Sequence, residues 1–148
     1  MSSTWSVGSS RRDHPHLRKF NDFYEKMNLI GIGAFGEVRR VRRRSDGKTF
    51  IRKKEKIEQN ERRKRKDEVN ALKKCDHPNI VKYIDDFIDS DCSRIIMEYC
   101  SEGDLNEFIR SRQGTLLPTN AVLNWASNLA SGMTYLKTQR IVHRDLVK

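Results

Sequence analysis

Residues 31–38 read Gly31-Ile32-Gly33-Ala34-Phe35-Gly36-Glu37-Val38, a run with glycine at its first, third and sixth positions. Glycine spacing of this kind lets a backbone pass close to the phosphates of a nucleotide. The motif alone is weak, because flexible glycine turns and dinucleotide-binding loops share its spacing. The residues that follow the glycines must therefore decide between these interpretations.

The sequence after the glycines has the pattern of a strand and not of a helix. A dinucleotide site needs a helix directly after its glycines, since the pyrophosphate binds at the N-terminus of that helix. Here Val38 and Val41 continue an extended pattern, and Asp46-Gly47 accepts the positive φ of a tight turn. A strand–loop–strand hairpin is predicted, with Phe35 at its tip to shield bound phosphates from water.

The remaining pattern divides the chain into a leader, a sheet and a helical part. Residues 1–20 lack periodicity and are predicted to form a flexible N-terminal leader. Short helices are predicted over residues 60–74 and 104–109, and a longer helix starts at Pro118. Five strands are predicted over residues 23–32, 37–42, 49–53, 80–87 and 94–99. The longer helix has apolar residues at a 4-3-4-3 spacing, which indicates one buried face: Val122, Ala126, Leu129, Met133 and Leu136.

The composition is that of a strongly basic chain that is long enough to bury a core. The 148 residues carry a net charge of +10, from 30 Lys and Arg against 20 Asp and Glu. This charge favours acidic partners without choosing among nucleic acid, anionic membrane and polyphosphate ligands. The three cysteines lack metal-ligand spacing, which favours reduced thiols and a cytoplasmic or nuclear location. No apolar run is long enough to span a membrane, so no membrane partner is expected.

A hairpin that covers phosphates needs a cation beneath it, and Lys53 is the candidate. Ile51 and Lys53 share one face of the predicted third strand, whereas Arg52 and Lys54 point to the other. Glu68 is the candidate carboxylate that would orient the Lys53 ammonium on the phosphates. The alternatives are that Lys53 is one more cation of a very basic region, and that Glu68 balances neighbouring cations on a solvated helix face.

The order of these features resembles that of the eukaryotic protein kinases. The glycine loop, Lys53 and Glu68 are followed by His77-Pro78-Asn79-Ile80-Val81, similar to the family's turn into the fourth strand. Ile96-Met97-Glu98-Tyr99-Cys100 resembles the family's hinge, and His143-Arg144-Asp145 resembles its catalytic triplet. The hinge and the Gly-Asp-Leu after it are most similar to the NIMA-related serine/threonine kinases.

The resemblance covers about residues 24–148 and implies an α+β fold. A small lobe with a five-stranded antiparallel sheet and one helix is expected over residues 21–97. Residues 98–148 would be the hinge and the first helices of a helical large lobe, in an incomplete kinase domain. The resemblance further implies that the chain binds ATP and belongs to an enzyme that phosphorylates Ser or Thr hydroxyls of unknown protein substrates.

The resemblance also assigns roles to individual residues. Asp145 would accept the proton of the substrate hydroxyl or orient that hydroxyl, and Lys53, paired with Glu68, would hold the α and β phosphates. Glu98 and Cys100 would offer backbone hydrogen bonds to adenine. Further ATP contacts are expected from the glycine loop and its flanks, the apolar cover of adenine, the gatekeeper and the ribose contact: Ile30, Gly31, Ile32, Gly33, Ala34, Phe35, Gly36, Glu37, Val38, Ile51, Met97 and Asp104.

The chain departs from the kinase pattern around and after Asp145. Val147 stands where the family has lysine, and the family's Asn and Asp-Phe-Gly segment, which hold Mg²⁺, would come after Lys148. Mg²⁺ is expected for the complete domain, but no metal ligand is assigned here. We expect a fragment that is inactive, or nearly so, as an isolated chain. A catalytically inactive nucleotide-binding or interaction module produced by truncation is the alternative.

Two surfaces bear on the choice of partner. Without the rest of a large lobe, the apolar face of the helix after Pro118 would be exposed, which makes it a candidate surface for aggregation or for binding a partner. The basic runs at residues 39–44 and 62–66 would give salt-sensitive, unspecific affinity for nucleic acid. No recognition motif accompanies them, so a solvated surface is favoured and no specific nucleic-acid binding is expected. Residues 62–66 also fit a nuclear import patch.

Overall fold

The computed structural model describes residues 19–33, 36–57, 62–88 and 91–142. Five strands form one antiparallel sheet in the order β1-β2-β3-β5-β4, which confirms the predicted fold class. In chain order the elements are α1 (Phe20–Phe23), β1 (Tyr24–Gly33), β2 (Gly36–Arg43), β3 (Thr49–Lys56), α2 (Arg62–Lys73), β4 (Tyr83–Ile88), β5 (Cys92–Glu98), α3 (Leu105–Ser111) and α4 (Thr119–Thr138).

The turn between β2 and β3 fixes their pairing. Gly47 has a φ of +71°, as expected from the Asp-Gly pair, and its N–H donates to the carbonyl of Arg43 at 2.9 Å. The Asp46 carboxylate accepts from the Arg43 guanidinium at 2.5 Å and from the Lys48 N–H at 3.2 Å. These bonds, above all the one from Arg43, lower the pKa of Asp46 to about 2. The carboxylate therefore stays ionised and holds the turn closed.

The hydrophobic core lies on one face of the sheet, which we call the outer face. Phe50 belongs to this core, and Arg52 and Lys54 follow on the same side of β3. The opposite, or inner, face carries Ile51 and Lys53. Aromatic rings dominate the core cluster, whose buried members are Phe20, Tyr24, Val41, Phe50, Phe87 and Ile96.

Helix α1 closes the outer face and was not predicted from the sequence. Phe20 stacks on Tyr24 with ring centroids 5.6 Å apart and meets Phe87 edge-on at 5.7 Å. The sequence analysis placed Phe20 in the leader, because a helix of four residues is too short to show a 3.6-residue period. Residues 1–18 of the predicted leader lie outside the described residues.

The segment between α2 and β4 joins the sheet to the helical part. The Tyr135 hydroxyl of α4 accepts from the Asp76 N–H at 3.0 Å and donates to the Lys74 carbonyl at 3.1 Å. Gly132 faces the same segment so closely that an added Cβ would lie 3.3 Å from the carbonyl oxygen of Asn79. Residues 77–80 form a turn, closed by the Ile80 N–H to the His77 carbonyl at 3.1 Å. The fourth strand therefore begins at Tyr83, and the prediction that it begins at residue 80 was wrong.

Only the C-terminal end of the predicted apolar face on α4 is buried. Leu136 is 8% exposed, whereas Val122 and Leu129 are 44% and 60% exposed. Trp125 of α4 meets Phe108 of α3 edge-on at 5.6 Å, so the two helices contact each other through aromatic rings. The expectation of a continuous buried face was wrong, and the expectation of an exposed apolar surface on this helix is confirmed. Among the helices that the structure describes, none has the length and apolar character needed to cross a membrane.

Candidate functional site

The glycine run forms the tip of the β1–β2 hairpin. Gly31 pairs with Val38, and Gly33 pairs with Gly36. Gly36 has a φ of +96°, and a Cβ added to it would lie 2.1 Å from the carbonyl oxygen of Lys54. Only glycine therefore lets β2 begin this close to β3. At Gly31 and Gly33 an added Cβ would meet nothing within 4 Å, which leaves this part of the hairpin open to a ligand.

The inner face collects the predicted contacts from three neighbouring strands. Val38 pairs with Lys53 across β2 and β3, and Ile51 pairs with Met97 across β3 and β5. Partners in an antiparallel sheet place their side chains on the same face. Three apolar side chains and one ammonium group thus lie side by side, next to the open hairpin. This surface could hold a flat apolar ring near a negatively charged group.

The structure gives Lys53 a neighbour that the sequence analysis missed. The Lys53 ammonium lies 2.7 Å from the Glu55 carboxylate, with side chains that are 25% and 10% exposed. The two residues are separated by one position on β3, so strand alternation could have indicated this pair. Glu68 lies in α2, but its side chain is outside the described structure. The pairing of Lys53 with Glu68 therefore stays a prediction.

The structure places the Glu37 side chain away from the other predicted ATP contacts. Glu37 pairs with Lys54 in the sheet, and its carboxylate bonds to the guanidinium groups of Arg39, at 3.0 Å, and Arg52. The hydrogen bond from Arg39, helped by the charge of Arg52, lowers the pKa of Glu37. Because side chains alternate along β2, Glu37 points to the outer face when its neighbour Val38 points to the inner one.

The two isoleucines that flank and separate the glycines lie on β1. Ile30 is 55% exposed and Ile32 is 75% exposed, so both remain accessible to a ligand. Ala34 and Phe35, at the tip of the loop, lie outside the described residues. Their assignment as ATP contacts therefore stays a prediction.

The predicted hinge follows the end of β5. The Glu98 N–H donates to the Lys82 carbonyl at 2.9 Å, and the Glu98 carboxylate accepts from the Lys82 N–H at 3.2 Å. The Cys100 carbonyl accepts from the Gly103 N–H at 3.4 Å. Asp104 is the N-cap of α3 and accepts from the Glu107 N–H at 2.8 Å. The ribose contact of Asp104 stays a prediction, and the structure adds a capping role.

Arg40 is a second residue that the sequence analysis missed. It pairs with Ile51, so it shares the inner face, and its guanidinium lies 5.8 Å from the centroid of the Tyr99 ring. Its Nε atom is buried and has no hydrogen-bond partner among the residues that the structure describes. Arg40 therefore connects the inner face to the predicted hinge.

The three cysteines are free thiols in different environments. Cys75 and Cys92 are buried, and burial raises the pKa of the Cys75 thiol. Cys100 is exposed at the predicted hinge. The expectation of unpaired, reduced thiols agrees with this arrangement.

The predicted catalytic end of the site lies beyond the described structure. Asp145 is among residues 143–148, which are outside the described ranges, so its role stays a prediction. Within residues 19–142, gaps aside, no three His, Cys, Asp or Glu side chains are placed to hold a metal ion. We therefore assign no metal ligand among the described residues.

The comparison with known sequence families identifies the chain. The sequence profile of the protein kinase domain matches residues 24–148, which is most of the chain. The chain belongs to the protein kinase family. The kinase match begins at Tyr24, the first residue of β1, and contains the glycine hairpin, Lys53 and the predicted hinge.

Curated relatives of this kinase chain confirm the resemblance to the NIMA-related group. The probable serine/threonine-protein kinase nek3 of Dictyostelium discoideum is 38% identical over 130 residues. Serine/threonine-protein kinase Nek5 of Homo sapiens is 34% identical over 128 residues. Each match covers 84% of this chain but only 12% and 18% of the respective relative. The chain thus spans less than a fifth of the length of these two kinases.

A solved kinase structure has the same fold. The crystal structure of Rad53 1-466 in complex with AMP-PNP matches with a TM-score of 0.75 and 27% sequence identity. The match covers 85% of this chain and 33% of that chain. The kinase arrangement of a five-stranded sheet followed by helices therefore extends over most of the present chain.

Proposed function

We propose that this chain is the ATP-binding part of a protein serine/threonine kinase. The observation that carries the proposal is the sheet register, which brings Val38, Ile51, Lys53 and Met97 together on the inner face beneath the glycine hairpin. Apolar side chains beside an ammonium group and an open glycine backbone suit adenine and phosphates together. No other part of the described structure combines these features with the family's sequence motifs.

Different residues would contact the adenine end and the phosphate end of ATP. Val38 and Ile51 would cover the adenine ring, and the hinge backbone at Glu98 and Cys100 would hydrogen-bond its edge. Lys53 would bind phosphate oxygens, which then compete with the Glu55 carboxylate for its ammonium. Asp145 would act on the substrate hydroxyl. Phosphoryl transfer depends mainly on positioning and electrostatic stabilisation, and these contacts would contribute to catalysis in both ways.

The names of the relatives support this proposal. The curated relatives are named serine/threonine-protein kinases, and the matching solved structure is a complex with AMP-PNP, an ATP analogue. We propose Ser and Thr hydroxyls of proteins as acceptors. We also propose a cytoplasmic or nuclear location, which is supported by the three free thiols.

Titration of the chain with ATP tests the proposal. Lys53→Met is expected to weaken ATP binding by about tenfold or more, since a charge-assisted contact to phosphate is lost. Lys48→Met is the matched control, because Lys48 is 72% exposed in the turn between β2 and β3. Adenosine should compete with ATP, because it occupies the same adenine site. Equal ATP affinity of the two variants, or no competition by adenosine, would contradict an ATP site on the inner face.

We propose further that the isolated 148-residue chain transfers little or no phosphate. The proposal rests on Val147, which replaces the lysine that the family uses to steady the transferring group. Incubation with radiolabelled ATP and a basic protein is expected to give no label above that of Asp145→Asn. Strong labelling that depends on Asp145 would contradict this inactivity and would support a complete active site.

One observation favours a second candidate, an interaction module without catalysis. Exposed apolar side chains cover both helices of the helical part: Leu105, Ile109, Val122, Leu123 and Leu129. Replacing Leu123 and Leu129 by Ser is expected to reduce any association of the chain in sedimentation experiments. A chain that does not bind ATP but associates through these residues would favour the second candidate over the first.

A further inference from the structure

A basic cavity lies on the outer face of the sheet, next to α1. Its volume is about 310 Å³, and it is lined by Lys19, Phe20, Asn21, Lys26, Arg52, Lys54 and Arg94. Five of these seven residues are cations, and none is an acid. Cations that converge on one concave surface raise the local concentration of anions. The cavity therefore has the charge of an anion-binding site.

The basic cavity lies on the opposite side of the sheet from the proposed ATP site. Arg52 and Lys54 line the cavity, whereas Lys53 between them points to the inner face. A ligand in the cavity would not contact a nucleotide bound below the glycine hairpin. The inference is therefore independent of the proposed function.

Arg52 is the most buried of the cations that line the cavity. Its side chain is only 2% exposed, and its guanidinium lies 5.5 Å from the centroid of the Phe20 ring. One terminal nitrogen bonds to the Glu37 carboxylate, but the buried Nε has no hydrogen-bond partner among the described residues. A buried charged group with an unused donor is costly unless a partner completes its hydrogen bonds.

Arg52 shares its carboxylate partner with a second arginine. The carboxylate that it uses, Glu37, also accepts a bond from Arg39 at 3.0 Å. Burial lowers the pKa of Arg52, and the nearby charges of Arg39 and Arg94 act in the same direction against the opposing effect of Glu37. The folded chain thus holds a buried guanidinium among other cations, and an anion from solution would relieve their repulsion.

We propose that the basic cavity binds a phosphate group, carried by a small polyphosphate or by a phosphorylated side chain. Arginine offers planar paired donors that match phosphate oxygens, and the neighbouring lysines add charge from several directions. The cavity is at the lower end of the range of ligand pockets, about 300–1,000 Å³. This size suits one compact phosphate group and not an extended nucleic-acid strand.

Calorimetric titration with inorganic pyrophosphate tests the site. The titration uses the Lys53→Met chain, so that the inner face contributes little, and holds ionic strength constant. We expect saturable binding at one site per chain. Adding Lys54→Met or Arg52→Met should weaken this binding by about tenfold or more, the loss expected for one charge-assisted hydrogen bond. Adding Lys48→Met, which changes the net charge equally, should leave the affinity unchanged.

Two results would overturn the proposal. If Lys48→Met and Lys54→Met weaken pyrophosphate binding equally, the binding reflects general charge attraction. If Lys53→Met alone abolishes pyrophosphate binding, the pyrophosphate binds on the inner face. Because Arg52 is buried, its replacement could alter the fold, which a thermal unfolding curve of each variant detects. Lys54 is partly exposed, so Lys54→Met still tests the cavity if Arg52→Met is unfolded.

A phosphothreonine peptide distinguishes the two sources of phosphate. Tighter binding of this peptide than of pyrophosphate, with no binding of the unphosphorylated peptide, would identify a phosphoprotein ligand. Tighter binding of pyrophosphate would identify a small polyphosphate. Either result supports the site if Lys54→Met abolishes binding of that probe. If neither probe binds, the proposal is overturned.

Discussion

The two faces of β3 place positively charged side chains in different environments. On the inner face, Lys53 is partly exposed and lies 2.7 Å from Glu55. On the outer face, Arg52 is buried in the aromatic core and shares the Glu37 carboxylate with Arg39. These cations are neighbours in the sequence, yet Lys53 lies on the proposed ATP-binding face below the hairpin and Arg52 lines the basic cavity. The pleat of the strand, and not the kind of residue, therefore decides which site a cation serves.

Gly36→Ala should have the largest effect, because it disrupts the pairing on which both faces depend. The new Cβ would lie 2.1 Å from the Lys54 carbonyl oxygen, at a φ of +96° that alanine rarely adopts. We expect a loss of about 3–5 kcal/mol in the free energy of unfolding, measured by urea denaturation. Gly33→Ala is the matched control, and should change stability by no more than about 1 kcal/mol. Similar losses for both variants would contradict the close approach of β2 to β3.

Substitutions of two consecutive residues of β5, one on each face of the sheet, compare the two faces directly. Ile96 is fully buried on the outer face, and Met97 is partly exposed on the inner face. Ile96→Ala should cost about 3 kcal/mol of stability, whereas Met97→Ala should cost about 1 kcal/mol. Met97→Ala should instead weaken ATP binding, because Met97 lies beside Ile51. Urea denaturation and ATP titration of both variants check this division, and equal stability losses would show that both faces are packed alike.

Asp46→Asn should have the smallest effect, and the size of this effect depends on pH. The pKa of Asp46 is lowered from 3.8 to about 2, chiefly by the hydrogen bond from Arg43. The ionised carboxylate therefore stabilises the fold above pH 3.8, and this contribution is lost as pH falls through about 2. Wild type should be slightly more stable than the variant at neutral pH, and the difference should disappear in strong acid. A difference that does not change with pH would contradict the role of the Arg43 bond.

The inner face was largely predictable because local patterns encode it. The glycine spacing and the Asp46-Gly47 pair predict two hairpins, and hairpins fix the register of the strands that they join. Lys53 then follows from counting along β3 by alternation. The same counting would have indicated Glu55, and it would have shown that the Glu37 side chain leaves the inner face.

The outer face was harder to predict because contacts distant in sequence determine it. Phe20 joins the core through Tyr24 and Phe87, and nothing local marks α1 as more than the end of a leader. Arg52 is surrounded by other cations in the sequence, so its burial beneath Phe20 is visible only in the folded chain. The exposed parts of α4 were hard to predict for the same reason. Sequence periodicity identifies the apolar side of a helix, but it does not show whether another part of the chain packs against that side.

The environments of the three thiols make the chain convenient to label with a single dye. Cys100 is accessible to solvent, while Cys75 and Cys92 are enclosed, and the raised pKa of Cys75 keeps it in its unreactive protonated form near neutral pH. A maleimide fluorophore should therefore attach mainly at the strand end that leads into α3. Its emission is expected to report occupancy of the proposed adenine site without any engineered cysteine.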